Sequence, residues 1–200
     1  MGWLCYDATH YKNGKVDRKA EMDSIFNWHD DVRTVSVLKS AMVGSTYYAA
    51  VRCVNTHTGI DNVSAAVCLT CGSKDNGGFN FGYKDMDETM GPYQYDCPKS
   101  ILDLLSPTDN KTALEWRRLC RENLKRKSEL AKARYVKFKF PFDITWSDGY
   151  TIKAGEPVIL EHSKMWERDR QRCWSIPNTF KVVRNSTIKR GTVVKIIPKR

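Results

Sequence analysis

The sequence lacks what would anchor it in a membrane or assign it an enzyme class at sight. In its 200 residues no apolar run approaches the ~18 that a spanning helix needs, and the mean hydropathy of −0.54 points the same way. The N-terminus MGWLCYDATHYK has neither a basic n-region nor an apolar h-region, so no signal peptide is expected. Gly2 raises N-myristoylation, but Tyr6 stands where that motif wants Ser or Thr. A phosphate-binding loop, H-E-x-x-H, G-x-S-x-G and a dinucleotide fingerprint are all missing. These absences favour binding over catalysis and imply no cofactor. Framework cysteine spacing is missing too. Cys5, Cys53, Cys68, Cys71, Cys97, Cys120 and Cys173 form an odd, scattered set, and without a secretory signal they read as reduced thiols in a cytosol.

What the sequence does have is charge, unevenly placed. Residues 1–110 carry 10 Lys and Arg against 14 Asp and Glu, a net of −4. Residues 111–200 carry 23 against 9, a net of +14. Such an asymmetry describes partners rather than fold. A concentrated positive field finds its cheapest partner in a polyphosphate, because neutralisation releases condensed counterions. The competing readings are a lysine-rich surface that only keeps the protein soluble, and an anionic membrane. The second is disfavoured, since no basic segment has a wide apolar face.

Read for organisation, the chain is α+β: a helix-flanked antiparallel sheet (1–106), a basic connecting helix (107–134) and a small, β-barrel-like basic module (135–200). Asn13-Gly14 marks a turn. Asp17 is placed to cap a helix running to Trp28, with Met22, Ile25, Phe26 and His29 as its buried stripe. Val35–Val43 is a short apolar element. Thr46–Val54 alternates, and a second strand carries Val63, Ala65, Val67 and Leu69, so the two read as an antiparallel hairpin. A loop over Gly72–Gly78 and a strand at Phe79–Tyr83 follow. Pro98 suits the first position of a helix carrying Ile101, Leu102, Leu104 and Leu105. Thr112-Ala-Leu-Glu115 matches a capping box that opens a helix to Arg134. Beyond it, Val136-Lys-Phe-Lys-Phe140 alternates so that one side packs and the other presents lysines. Five or six short strands at regular spacing complete the module as a small barrel or rolled sheet.

Three constellations carry chemistry. Cys68-Leu-Thr-Cys71 has the spacing of half a zinc site, but the second thiolate pair is missing. Cys53, His57 and Cys97 are the only partners left, at arbitrary spacing. Within a strand, moreover, residues three apart face opposite sides, so two small buried residues at a strand end is the favoured reading. His10, flanked by Thr9 and Tyr11, is the acid–base candidate, with Asp7 or Glu21 beside it. His29 reads as a core histidine.

The strongest constellation is basic. Arg118, Arg121, Lys125 and Arg126 on the helix are expected to form an electrostatic rail, with Arg117 supplementing the basic stripe as a further binding residue, and Arg168, Arg170 and Arg172 a second contact. Lys181, Arg184, Lys189, Arg190 and Lys195 are interleaved with Trp146, Tyr150, Trp166 and Trp174. Cations of this kind satisfy phosphates while aromatics stack on unpaired bases, although core filling is the commoner fate of a tryptophan.

The opening MGWLCYDATHYKNGKVDRKAE, with VLKSAMVGSTYYAAV, resembles a family of small uncharacterised proteins carried by phages and mobile elements of gut and clostridial-type bacteria. The resemblance covers about the first 105 residues and parts of the C-terminal sheet, and it brings no catalytic residues with it. It implies a setting rich in host-takeover and anti-defence proteins. The expected function is therefore nucleic-acid binding, RNA or single strands before duplex, in the cytoplasm of a bacterial host. An anti-CRISPR-type inhibitor is its sharpest form, and a basic chain is no DNA mimic. The partner is nucleic acid or a nucleoprotein complex, with no membrane involved and the oligomeric state open. Two alternatives stand beside it: a nuclease or nucleotide-processing enzyme using His10, and an inhibitor that docks on a host nuclease.

Overall fold

The structure, a computed structural model, describes residues 2–72, 80–163 and 173–198. It divides into two compact units, Met1–Leu124 and Lys125–Arg200. In the first, β1 (Leu4–Tyr6) leads to a hairpin of β2 (Tyr11–Lys12) and β3 (Lys15–Val16). Its turn uses Asn13 and Gly14, both at positive φ (52° and 66°), as the tightest hairpins demand. There follow α1 (Arg18–Ile25), β4 (Trp28–His29), β5 (Arg33–Val43), β6 (Thr46–Asn55), β7 (Asp61–Gly72), β8 (Phe81–Lys84), a 3₁₀ turn at Glu88–Met90 and α2 (Lys99–Leu102). Helix α3 (Lys111–Lys132) runs from this unit into the second.

Six strands form one antiparallel sheet in the order β1-β8-β7-β6-β5-β4. Both of its faces are covered. Tyr47, Ala49, Ala66, Cys68 and Phe81 pack with Met22 of α1, while Tyr48, Ala50, Ala65 and Val67 pack with Ile101 and Leu102 of α2 and Trp116 and Cys120 of α3. Burial on both faces explains why Thr46–Val51 carries no charged side chain and is buried throughout.

Local chemistry sets the ends of the helices, and here the structure departs from the sequence reading. Asp17 does cap α1, accepting from the Ala20 amide at 3.1 Å. The helix stops at Ile25, however, short of Trp28. Asn27 turns the chain by donating to the Asp23 carbonyl and accepting from the Val37 amide. Trp28 and His29 then pair as a strand with Val35 and Thr34, so His29 is exposed and not a core residue. The cap of α3 is Asn110, whose Oδ1 accepts from the Ala113 amide at 2.9 Å. Thr112 lies inside the first turn, and Glu115 bonds to Arg118 instead of closing a capping box. The helix ends at Lys132 rather than Arg134, because Ala133 already pairs as strand.

The second unit holds β9 (Ala133–Lys139), β10 (Ile144–Thr145), β11 (Thr151–Ile152), β12 (Pro157–Ser163), β13 (Cys173–Ser175), β14 (Val182–Arg184), α4 (Asn185–Ile188) and β15 (Thr192–Pro198). Strands β10 and β11 form a separate hairpin; the other five make an antiparallel sheet in the order β14-β13-β12-β9-β15. That order is open at both ends, and the barrel-like closure expected from the strand spacing does not occur among the described pairings. The inner face packs Val136, Phe138, Phe140, Leu160, Trp174 and Val183 into one core with Ile152 and Ile188.

The tightest point of that core is Gly191. A Cβ there would stand 2.6 Å and 2.8 Å from two carbons of the Phe140 ring. The ring is itself 1% exposed and stacked on Phe138, so it cannot retreat. Gly191→Ala is therefore expected to destabilise the second unit by about 1–3 kcal/mol, the usual cost of overpacking. In thermal unfolding the midpoint should fall by several degrees, whereas an unchanged midpoint would show that the core gives way.

Candidate nucleic-acid interface

Val136 and Phe138 of β9 and Phe140 just beyond it face the core, so Lys137 and Lys139 between them point outward, as strand alternation requires. The register carries this across the sheet. Lys137 is the direct partner of Lys195 on β15 and of Ile159 on β12; Tyr135 is that of Glu161 and Ile197. Val183 is buried on β14, which turns its neighbour Arg184 to the same outer side. Lys139, Arg184 and Lys195 are exposed and Lys137 half-buried. Among the described residues, the outer face thus gathers four cations around a single carboxylate, Glu161. Like charges directly opposite on neighbouring strands oppose the pairing, and Lys137 and Lys195 have no ion pair among the described residues to relieve them.

The basic residues of the helix, the expected rail and Arg117 beside it, have varied fates. Arg117 is buried: its guanidinium grips Glu88 at 2.5 Å and 2.7 Å and donates to the Ser106 carbonyl at 2.7 Å. Glu88 also accepts from the Ala65 amide, so the pair clamps α3 to the edge of β7. Arg118 is exposed but held between Glu115 and Glu122. Its hydrogen bond keeps the Glu115 carboxyl below the ordinary range. Arg126 donates to the carbonyls of Ile188 and Gly191. Arg121 and Lys125 are exposed. Arg168, Arg170, Arg172 and Trp166 lie outside the described residues.

Beyond the sheet, Lys181 pairs with Asp148 and sits over the Tyr150 ring at 5.4 Å, with Trp146 edge-on to Tyr150. Phe180 next to it is 95% exposed. Arg190 covers Phe142 at 4.2 Å, and Lys189 is exposed. Trp174 fills the core. Lys137 and Lys139 stand outside the residues singled out by charge density; the signal that finds them is the alternation of Val136–Phe140.

The acid–base candidates are placed differently. Glu21 is 2% exposed, and one of its oxygens accepts the amides of Thr9 and His10 at 2.5 Å each. His10 Nδ1 is 3.4 Å from that oxygen and 3.0 Å from the Thr9 hydroxyl. Burial, and next the Glu21 charge, push the Tyr6 phenol up to about 12. The carboxylate therefore holds the chain ahead of α1 in place, and Asp7 is exposed apart from it. A surface depression of about 370 Å³ lies on the other side of the sheet, lined by Tyr95, Trp116 and Leu119 with Lys111 and Glu115. Cys68 faces the α1 side, its thiol pushed up by burial and then by Asp85. Cys71, three residues on, faces the opposite side, so the two share no ligand. No group of three or more metal-ligating side chains occurs among the described residues, and no helix among them is long and apolar enough to cross a membrane.

A family model described as a domain of unknown function (DUF6927) matches residues 107–188. The match takes in α3 and the second unit as far as α4, with Lys137, Lys139 and Arg184 of the cationic face but not Lys195 on β15. It lies apart from the opening segment that resembles phage-borne proteins and supplies no phage or mobile-element link. No curated protein and no solved structure matches the chain.

The clamp and the rail separate cleanly by mutation. Arg117→Met leaves Glu88 buried without its partner and is expected to cost about 3–5 kcal/mol in urea unfolding. Adding Glu88→Gln should recover much of that loss, while Arg118→Met should leave the midpoint almost where it is. Equal effects from the two arginines would contradict the assignment.

Proposed function

We propose that the protein binds nucleic acid, RNA or single strands in preference to duplex, through the outer face of the β9–β15 sheet. The observation that carries this reading is the direct opposition of Lys137 and Lys195, with Lys139 and Arg184 on the same face and one carboxylate among them. A face built against its own electrostatics fits an anionic partner, whose phosphates supply the missing counter-charge. Tyr135 on that face, and Tyr150 and Phe180 elsewhere in the unit, offer surfaces on which unpaired bases stack. A membrane is not part of the proposal. The phage or mobile-element setting in a bacterial cytoplasm, and with it an anti-defence role such as inhibiting a CRISPR-type complex, rests on the resemblance of the opening segment alone.

Lys195→Glu tests the reading because stability and function should move in opposite directions. The new carboxylate faces Lys137 directly and Lys139 diagonally. The unfolding midpoint of the second unit should therefore rise by a few degrees, the size of a cross-strand charge pair. Affinity for a single-stranded RNA should meanwhile fall by roughly tenfold at low salt, as a phosphate contact becomes a repulsion. A variant that is stabilised yet binds as tightly as the wild type would refute this face as the interface.

A further inference from the structure

The strand register brings together two thiols that lie far apart in sequence. Cys5 on β1 and Cys71 on β7 both pair with Gly82 of β8, one from each side. Registered partners share a face of the sheet; here it is the face that carries Ala65 and Val67 farther along β7. Gly82 has no side chain, so both cysteines lean over it. A Cβ built there would stand 3.1 Å from Cys5 Sγ and 3.1 Å from Cys71 Sγ. The two sulfurs are therefore no farther apart than twice that distance. Cys5 is exposed and Cys71 half-buried, so solvent reaches the pair.

A disulfide does not fit this arrangement. Strands two apart in a sheet hold their Cα atoms about 9.5 Å apart, beyond the ~7 Å that a disulfide spans without backbone movement. A cation between the sulfurs does fit: two metal–sulfur bonds of about 2.3 Å in a line set the sulfurs about 4.6 Å apart, within reach of small side-chain rotations. Tetrahedral zinc would need further ligands, and no cluster of three or more candidates occurs among the described residues. Soft thiolates select soft cations, Cu(I) foremost among those of biological supply.

We propose that Cys5 and Cys71 form a two-thiolate site for a soft, linearly coordinated monovalent cation of the Cu(I) or Ag(I) class, with room made by the missing side chain of Gly82. On binding, each thiol releases its proton to solvent and each sulfur donates a lone pair. The ion enters and stays as the monovalent species, so no electron changes hands. The C-x-x-C motif thus contributes Cys71 alone, and its partner comes from the N-terminal strand.

The test is a titration of the reduced full-length protein with Cu(I) held by a competing chelator such as bathocuproine disulfonate. The wild type should withdraw one Cu(I) per chain. Cys5→Ser and Cys71→Ser should each weaken binding by more than the roughly 10–100-fold lost with an outer-shell partner. Gly82→Ala should weaken it with both thiols still present, and Cys53→Ser should leave it intact. Cys5 is exposed, so far-UV circular dichroism of Cys5→Ser should match the wild type and the loss there reads as loss of a ligand. A wild type that takes up no Cu(I), or uptake that survives in either single variant, would overturn the site. So would a Cys5–Cys71 disulfide that forms readily in air, seen by non-reducing mass spectrometry.

Discussion

Lys137 and Lys195 face each other across β9 and β15 because the packing on the other side leaves them no choice. Val136, Phe138 and Phe140 must enter the core, and a one-residue slip of register would turn all of them out to water. The apolar term far outweighs a like-charge contact at a surface, so the sheet holds the lysines in opposition. Gly191 and the stacked Phe138 and Phe140 rings stiffen the same strand from behind. A rigid, pre-positioned cationic face is what a flexible polyanion is best met by, since the protein has little left to order on binding.

Charge density alone is a poor guide to such a face. The second unit carries 19 Lys and Arg against 7 Asp and Glu, a net of +12, and the first 14 against 16, a net of −2. Many of these cations are already engaged. Arg117 is committed to Glu88, Arg118 to its helical neighbours, Lys153 to Asp143 and Lys181 to Asp148. The exposed pairs among these contribute little to stability, but they offset charge at the surface. On the β9–β15 sheet Lys137, Lys139, Lys195 and Arg184 share one outer face with Glu161.

Where local chemistry decides, the sequence was informative. The alternation of Thr46–Val54 and of Val136–Phe140, the Asn13-Gly14 turn and the Asp17 cap are all written in nearest-neighbour rules, and each element appears close to its expected place. What escaped was set by competition or by distance. Asn110 outcompeted Thr112 as a cap, since both types serve and only the neighbouring chain selects between them. Asn27 ended α1 early through a bond to β5, ten residues away. Arg117 reads from the sequence like any other helical arginine, and only the position of Glu88, 29 residues earlier, buries it. Cys5 and Cys71 meet through a strand order, β1-β8-β7, that no spacing rule encodes. The open order of the second sheet likewise depends on which strands meet, not on how regularly they are spaced.

The most direct test of the cationic face is the salt dependence of single-strand binding. For the wild type, the logarithm of the association constant for a single-stranded oligonucleotide should fall steeply and linearly with the logarithm of salt concentration. Each phosphate contact contributes about 0.7 to that slope, so the combined Lys137→Gln, Lys139→Gln, Lys195→Gln variant should be shallower by about 2. A slope that is flat in the wild type, or equally steep in the triple variant, would contradict the role assigned to this face.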